Sequence, residues 1–297
     1  MAAMFKQLGL IGCGLMGGSF ALALKQAGMV ERVIGYSKSP STTEKARQMG
    51  VIDQTAESAL LAVSGSDIVL IAVPVAATDA TFRAIRHLVT PNTLFMDVGS
   101  TKRDVVDAAR RVLKERSIAF VPAHPIAGKE HSGVQYADAA LYRDRQVILT
   151  PIAQTSPELV EKAKAVWSAV GSSVRVMTPE AHDAAFAAVS HFPHLLAFAY
   201  FTGILQQADS EQFLSLAGPG FRDFTRIAAS DPAIWRDILI ANREEVLKQS
   251  EQFRGALGIL EQVLRDCQGE SLEALVKGVS TARSQWRMGL PRGSANT

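Results

Sequence analysis

The sequence predicts an α/β domain with a doubly wound, mostly parallel sheet, followed by an all-helical domain. In residues 1–177, short apolar runs alternate with helix-like stretches, and the runs are continuously apolar, as buried parallel strands are. From residue 178 onwards almost nothing is typical of a strand, and apolar residues recur at helical spacing. We therefore predict one domain over residues 1–177 and a second over residues 178–297.

Short runs rich in β-branched and apolar residues are predicted as the strands of the first domain. Helix-like stretches separate most of them, and this alternation places helices on both faces of a sheet. The runs are, in chain order, QLGLIG, RVIGYS, DIVLIAVP, TLFMDVGS, IAFVPAHP, QVILTP and SVRVMTP.

A single long helix is predicted in the second domain, from Pro232 to about Asp266. Asp231 is a suitable N-cap, and proline is favoured at the first helical position. A helix of roughly thirty residues exceeds the usual length. We therefore expect part of it to pack on another domain or on a second subunit.

The composition is that of a globular protein of two domains. The chain has 297 residues, of which 47% are hydrophobic and 20% are charged. Its formal net charge is +2, and no basic cluster indicates a nucleic-acid partner. No uninterrupted apolar run is long enough to span a membrane, and the first residues do not resemble a signal peptide.

The cysteines indicate neither a disulfide framework nor a metal site. Cys13 and Cys267 lie far apart and form no CxxC pair, and no HExxH motif is present. We therefore expect no metal and a reducing, cytoplasmic location.

A glycine-rich loop near the start of the chain predicts a dinucleotide site. Gly12, Gly14 and Gly17 have GxGxxG spacing between a predicted strand and a predicted helix, which is the dinucleotide-binding arrangement of a Rossmann domain. The residues between them, Leu15 and Met16, are expected to lie against the cofactor. The alternative is a glycine-rich turn that binds no ligand.

The end of the second strand favours NADP over NAD. An acidic residue there would bind the ribose 2′-hydroxyl of NAD, but this strand ends in Tyr36, Ser37 and Lys38. A hydroxyl and an ammonium group suit a 2′-phosphate better. The alternative is that Lys38 is a solvated surface lysine and that Ser41 and Glu44 form a capping box.

Polar residues follow two of the predicted strands and are candidates for chemistry. Ser100 and Lys102 follow TLFMDV, and His124 follows IAFVPA. Ligands of an open α/β sheet lie beyond the carboxyl ends of its strands, so these side chains can meet beside the nicotinamide. Oxidation of an alcohol needs a base near neutral pH, and His124 is the best placed histidine for that role.

Six motifs in order resemble those of the prephenate dehydrogenase family, which includes arogenate and cyclohexadienyl dehydrogenases. They are GCGLMGGS, DVGSTK, HPIAGKEHSG, TPEAHD, VSHFPH and GPGFRDFTRIAASDPAIWRDI. The resemblance implies oxidative decarboxylation of prephenate to 4-hydroxyphenylpyruvate with NAD(P), in tyrosine biosynthesis. It also implies a homodimer formed through the helical domain, with arogenate as a further candidate substrate.

The resemblance also implies roles for single residues. His124 accepts the proton of the ring hydroxyl, Ser100 holds that hydroxyl or His124, and Arg226 binds a substrate carboxylate. Lys102 is expected either to orient its loop or to neutralise substrate charge. The remaining residues that the resemblance assigns to the substrate side or to a gate over it are Ser190, His191, His194, Glu130 and Asp223.

Several alternatives stay open. His191 and His194 could be interior histidines whose hydrogen bonds the backbone satisfies. Lys129, next to Glu130, adds a cation that would disfavour the ammonium of arogenate by repulsion, and it therefore favours prephenate as the substrate. The activity could instead be that of a 3-hydroxyacid dehydrogenase, which would have a catalytic lysine in the helical half. The chain could also be a dinucleotide sensor without catalysis.

Overall fold

A computed structural model describes residues 3–129 and 131–288. Two compact units are distinguished, residues 1–243 and residues 244–297. The first contains every strand of the described chain and the first eleven helices. The second contains the last two helices, except that Arg243, the first residue of the earlier one, belongs to the first unit.

A six-stranded parallel sheet forms the centre of the first unit. Its strand order is β3-β2-β1-β4-β5-β6, and the order reverses between β1 and β4, which is where ligands bind in such sheets. The strands of the described chain are β1 (Phe5–Ile11), β2 (Val30–Tyr36), β3 (Gln54–Thr55), β4 (Ile68–Ile71), β5 (Leu94–Asp97), β6 (Phe120–Val121), β7 (Ala123–Pro125), β8 (Gln146–Leu149) and β9 (Ser173–Val176).

The helices cover the sheet and continue as an all-helical segment after β9, as predicted. A π-helical turn, Ala187–His191, joins α7 to α8. The helices are α1 (Leu15–Gln26), α2 (Pro40–Gln48), α3 (Ala59–Val63), α4 (Thr78–Ile85), α5 (Arg103–Leu113), α6 (Pro157–Ala169), α7 (Pro179–Phe186), α8 (Phe192–Leu205), α9 (Ser210–Ser215), α10 (Pro219–Thr225), α11 (Pro232–Ala241), α12 (Arg243–Arg265) and α13 (Gly269–Gln285).

The predicted strand IAFVPAHP is two strands in two sheets. β6 closes the parallel sheet, whereas β7 pairs antiparallel with β8 in a second sheet of order β7-β8-β9. Pro122, between β6 and β7, has no N–H to continue the first ladder. His124 therefore lies just beyond the carboxyl edge of the parallel sheet, opposite Ile148 in the second sheet.

Aromatic side chains fix helices to the sheet in two clusters. Phe82 of α4 lies 5.6 Å from Phe95 and 5.3 Å from Phe120 between ring centroids. Phe20 of α1 lies 4.8 Å from Trp167 of α6. These rings are buried, so the first cluster holds α4 against β5 and β6, and the second joins α1 to α6.

The long helix predicted from Pro232 is divided at Asn242, so that prediction was wrong. Asn242 is fully buried, and its Nδ2 donates to the Asp183 carbonyl at 2.8 Å and to His191 Nδ1 at 3.0 Å. Its backbone leaves the helical region, with φ −106° and ψ 25°. The predicted cap is confirmed, because the Asp231 carboxylate accepts from the N–H groups of Ala233 and Ile234.

The segment Pro179–Leu205 has the length and composition of a membrane-crossing helix. It has 27 residues and a mean hydropathy of 1.3 in its most apolar window. This differs from the expectation drawn from uninterrupted apolar runs, because polar side chains such as His182 and Asp183 interrupt the segment. Both are buried and hydrogen-bonded. Length and composition alone are weak evidence for a membrane, since helices of globular proteins satisfy the same test.

The second unit, by itself, presents apolar side chains to solvent. Leu247 is 62% exposed, Ile259 60% and Val279 71%. An exposed apolar surface of this kind is typical of a site of protein association.

Candidate active site

The glycine loop has the geometry that a pyrophosphate requires. Gly12 has a φ of 95°, and a Cβ there would lie 2.2 Å from the Ala72 carbonyl oxygen. A Cβ at Gly17 would lie 2.1 Å from the Gly12 carbonyl oxygen, whereas one at Gly14 would meet nothing within 4 Å. Gly14 is the N-cap of α1 and makes no side-chain cap, and the N-terminus of a helix is a site that suits an anion.

The end of β2 carries hydroxyl groups and a lysine where an acid would select NAD. Ser37 Oγ accepts from the Cys13 N–H at 2.8 Å, and Lys38 is exposed. The alternative capping box does not form, because α2 begins at Pro40 with Ser39 as its N-cap. Glu44 instead pairs with Arg47.

A cavity of about 590 Å³ brings together six of the residues predicted for substrate chemistry. Ser100 comes from the loop after β5 and His124 from β7, while the rest come from the π turn, α8 and the turn after α10. The six are Ser100, His124, Ser190, His191, His194 and Arg226. Residues far apart in the chain therefore share one cavity at the carboxyl edge of the parallel sheet.

His124 has the electrostatics of a neutral base. Burial, together with the nearby His182 and Lys102, holds the pKa of the imidazole well below its ordinary value. Its Nδ1 lies 2.8 Å from His182 Nε2. The ring is therefore uncharged at neutral pH and can accept a proton.

His182 and Asp183 form a polar pair behind His124, and the sequence analysis assigned them no role. His182 Nδ1 lies 2.8 Å from Asp183 Oδ1, and both side chains are buried. The signal in the sequence was an adjacent His-Asp pair at the start of an otherwise apolar helical segment. The sequence could not indicate that this pair touches a histidine 58 positions earlier.

Lys102 lies beneath the cavity and is not part of its lining. Its ammonium pairs with Asp97 and donates to the Ala123 carbonyl at 2.8 Å, with no exposed surface. Asp97 in turn accepts from the Ala123 N–H at 3.0 Å. Of the two predicted roles, the contacts fit the orientation of the loop and strand around His124, not contact with a substrate.

His191 is both an interior histidine and a residue of the cavity wall. Its Nδ1 accepts from Asn242, and its ring also bonds to the backbone of Ser100. Burial lowers the pKa of His191 to about 4. The ring is therefore neutral and holds the Ser100 loop in place.

His194 is likewise both an interior histidine with a backbone hydrogen bond and a residue of the cavity wall. Its Nδ1 donates to the Ser190 carbonyl at 2.9 Å, and its ring stacks on Trp235 with 3.5 Å between centroids. Both His194 and Trp235 line the cavity.

The predicted gating acids are not in the described lining. Asp223 accepts from Arg222 at 3.1 Å, and both are exposed. Glu130 lies outside the described residues. Lys129 pairs with Asp138 at 3.0 Å, so its charge is compensated there.

Arg145 lines the cavity and was missed by the sequence analysis. It directly precedes β8, where the Gln146 carbonyl accepts a hydrogen bond from the N–H of Ile126, the residue that follows β7. Within residues 3–129 and 131–288 its guanidinium makes no ion pair. A basic residue just before a strand is a weak signal, and only the pairing of β7 with β8 brings it to the cavity.

Comparison with known proteins identifies the family. Residues 20–176 match the nucleotide-binding domain of prephenate dehydrogenase, and residues 178–278 match its dimerization domain. The chain is 37% identical to a prephenate dehydrogenase of Bacillus subtilis, over 95% of this chain and 75% of that protein. It is 31% identical to a cyclohexadienyl dehydrogenase of Zymomonas mobilis, over 94% of this chain and 95% of that protein.

A solved structure has the same fold over nearly its whole length. Prephenate dehydrogenase from Aquifex aeolicus, in complex with hydroxyphenyl propionate and NAD⁺, superposes with a TM-score of 0.88 and 36% identity. The match covers 94% of this chain and 97% of that one. With both domain matches and a cavity that unites the predicted residues, this chain belongs to the prephenate dehydrogenase family.

Proposed function

We propose that this enzyme oxidatively decarboxylates prephenate to 4-hydroxyphenylpyruvate in tyrosine biosynthesis, with a nicotinamide dinucleotide as hydride acceptor. The observation that carries the proposal is a single cavity lined by a neutral histidine, a serine and two arginines. These are His124, Ser100, Arg145 and Arg226. The cavity lies at the carboxyl edge of the parallel sheet, and the glycine loop follows a strand of that same sheet.

The dinucleotide would be held by the glycine loop. Gly12 permits the tight turn, Gly14 lets the pyrophosphate approach the backbone, and Gly17 allows α1 to pack closely against the turn. The N–H groups of Leu15 and Met16, at the start of α1, would face the phosphates. When bound, the nicotinamide supplies the hydride acceptor.

His124 would take the proton of the ring hydroxyl while hydride leaves the same carbon, so that a carbonyl forms. The ring carboxylate then leaves as carbon dioxide, and its bonding electrons complete the aromatic ring. The oxygen regains a proton as the phenol, so no net proton is consumed. Ser100, whose loop His191 holds, would keep the hydroxyl near His124.

The two arginines suit the two carboxylates of prephenate. A guanidinium fork matches a carboxylate, and we assign one carboxylate to Arg226 and the other to Arg145. Within the described residues the lining contains no acidic side chain, which favours a dianionic keto acid over the ammonium of arogenate. The charge of Lys129 does not contribute to this preference, because Asp138 compensates it. Ser190, His191 and His194 would complete the substrate wall.

We propose a preference for NADP over NAD. Ser37 and Lys38 stand at the end of β2 without an acid, and the exposed ammonium can reach toward a 2′-phosphate. The Ser37 hydroxyl accepts from the Cys13 N–H at 2.8 Å, which keeps it against the glycine loop.

We propose a homodimer and a cytoplasmic location. The match to a dimerization domain and the exposed apolar side chains of the second unit support the dimer. Two free cysteines, one of them exposed, fit a reducing compartment. A strictly monomeric species in sedimentation at micromolar concentration would contradict the dimer.

A kinetic matrix tests the function. Prephenate and arogenate are each assayed with NAD and NADP by absorbance at 340 nm, and the expected fastest pair is prephenate with NADP. His124→Asn should lower kcat by about 100- to 10,000-fold. His87→Asn, on an exposed histidine, is the matched control and should retain full activity. Full turnover in His124→Asn would remove the assigned base.

The same assay separates the two alternative functions. A dinucleotide sensor would bind NADP without an absorbance rise on adding prephenate. A 3-hydroxyacid dehydrogenase would use a lysine of the helical half, and the described residues place no lysine in the cavity lining.

A further inference from the structure

We propose that His182 and Asp183 are positioning residues that fix the tautomer of His124, so that its Nε2 lone pair faces the cavity. The proposal rests on the proposed function, because it explains how the assigned base is kept ready. Neither residue belongs to the described cavity lining, so neither is placed to touch substrate.

The three side chains form one continuous hydrogen-bonded chain. Asp183 Oδ1 lies 2.8 Å from His182 Nδ1, and His182 Nε2 lies 2.8 Å from His124 Nδ1. His182 has no exposed surface and Asp183 is 1% exposed. Both ring nitrogens of His182 are therefore engaged by protein.

Asp183 is the ionised end of the chain. Burial raises the pKa of its carboxyl, but hydrogen bonds from His182 and from the N–H groups of Arg103 and Lys102 outweigh burial and leave the pKa below its ordinary value. An ionised carboxylate only accepts hydrogen bonds. His182 Nδ1 must therefore carry the hydrogen between them.

The positions of the other ring hydrogens follow from the hydrogen on His182 Nδ1. Burial lowers the pKa of His182, so the ring is neutral, and with Nδ1 protonated its Nε2 is an acceptor. His124 Nδ1 must then carry a hydrogen and donate it to His182. A neutral His124 with Nδ1 protonated has its lone pair on Nε2, the nitrogen that the proposed reaction needs.

The hydrogen-bonded series Asp183–His182–His124 is anchored to the loop that carries Ser100. Asp183 Oδ1 accepts from the Lys102 N–H at 2.8 Å and Oδ2 from the Arg103 N–H at 3.0 Å, at the start of α5. These N–H groups have no partner within the helix and favour a negative charge. One carboxylate therefore ties the tautomer of His124 to the position of the loop before α5.

Packing and charge complete the arrangement. Phe186 lies 4.8 Å from the His124 ring and 4.4 Å from the His182 ring between centroids, so one aromatic side chain packs against both imidazoles. The other charged or titratable groups acting on these rings are Lys102, Asp97 and His191. When His124 receives a proton, the chain leads from its Nδ1–H to the Asp183 carboxylate, which stabilises the imidazolium.

The first test measures the tautomer without using activity. Long-range ¹H–¹⁵N correlation spectra of the ligand-free protein should show His124 Nδ1 with the shift of a protonated ring nitrogen and Nε2 with that of an unprotonated one. Asp183→Asn should reverse this pattern, because an amide can donate to His182 Nδ1. A protonated Nε2 in the unmodified protein would overturn the proposal, even in an active enzyme.

The second test separates positioning from mere structure. His182→Leu removes the acceptor for His124 and should lower kcat by about 100-fold or more while KM for prephenate changes little. His182→Gln keeps one acceptor and one donor and should recover much of kcat. His87→Leu, on an exposed histidine, is the control. Equal kcat in the Leu and Gln variants, at equal folded fraction, would overturn the proposal.

The two tests also distinguish this proposal from the proposed function. If no substrate turns over but the tautomer pattern is as stated, only the function fails. If prephenate turns over and the tautomer pattern is absent, only the positioning role fails.

Discussion

Lys102 and Asp97 form an ion pair beneath the candidate base, with side chains 0% and 3% exposed. The ammonium donates to the Ala123 carbonyl, and the carboxylate accepts from the N–H of the same residue. The pair therefore holds both backbone groups of the residue before His124. A buried pair of this kind orients the site without touching what binds there.

Lys102→Met should destabilise the enzyme. Removing one partner leaves the Asp97 carboxylate buried and unpaired, at a cost of about 3–5 kcal/mol in the free energy of unfolding. Urea unfolding measures the change, and Lys162→Met, on the exposed face of α6, is the control. A large rise in KM for prephenate with unchanged stability would instead indicate direct substrate contact.

Stability should fall as the pH drops from about 6.5 toward 4. The folded state keeps His191 neutral down to a pKa of about 4, whereas the unfolded chain binds a proton near the ordinary histidine value. The unfolded state therefore gains protons first, and between pH 7 and pH 5 this residue lowers the free energy of unfolding by about 2 kcal/mol. The other histidines with lowered pKa values, His124, His182 and His194, act in the same direction.

Urea titrations at pH 7 and pH 5 measure this difference directly. In His191→Asn the difference between the two pH values should shrink, while in His87→Asn it should keep its full size. An unchanged difference in His191→Asn would mean that the ring is not held neutral.

Arg226→Leu and Arg145→Leu should each weaken substrate binding. Losing a charge-assisted hydrogen bond to a carboxylate should raise KM for prephenate by about 10- to 100-fold. Arg222→Leu, one helical turn before Arg226 and exposed, should leave KM unchanged. Steady-state kinetics with saturating cofactor distinguishes the three variants, and an unchanged KM in Arg145→Leu would remove its assigned carboxylate.

Lys38→Ala should raise KM for NADP by roughly tenfold and leave KM for NAD unchanged, because the lost contact is to the 2′-phosphate. Lys45→Ala, also exposed and on α2, serves as the matched control. Equal effects of Lys38→Ala on both cofactors would indicate a general effect on the loop.

The sequence alone was sufficient to predict the features that depend on local structure. The glycine spacing, the alternation of apolar runs and the Asp231-Pro232 helix start are set by backbone conformation and by neighbouring residues, so short motifs carry them. Ser100 and His124 could also be predicted to meet, because strand ends in a parallel sheet share one edge.

Tertiary structure decided what depends on distant partners. The break at Asn242 follows from its contacts with Asp183 and His191, and no helical periodicity reveals it. The burial of Lys102, the arrival of Arg145 at the cavity and the contact of His182 with His124 each join residues from different elements. The sequence determined which groups could do chemistry, and the folded chain determined their partners and protonation, because pKa and hydrogen bonding depend on burial and three-dimensional neighbours.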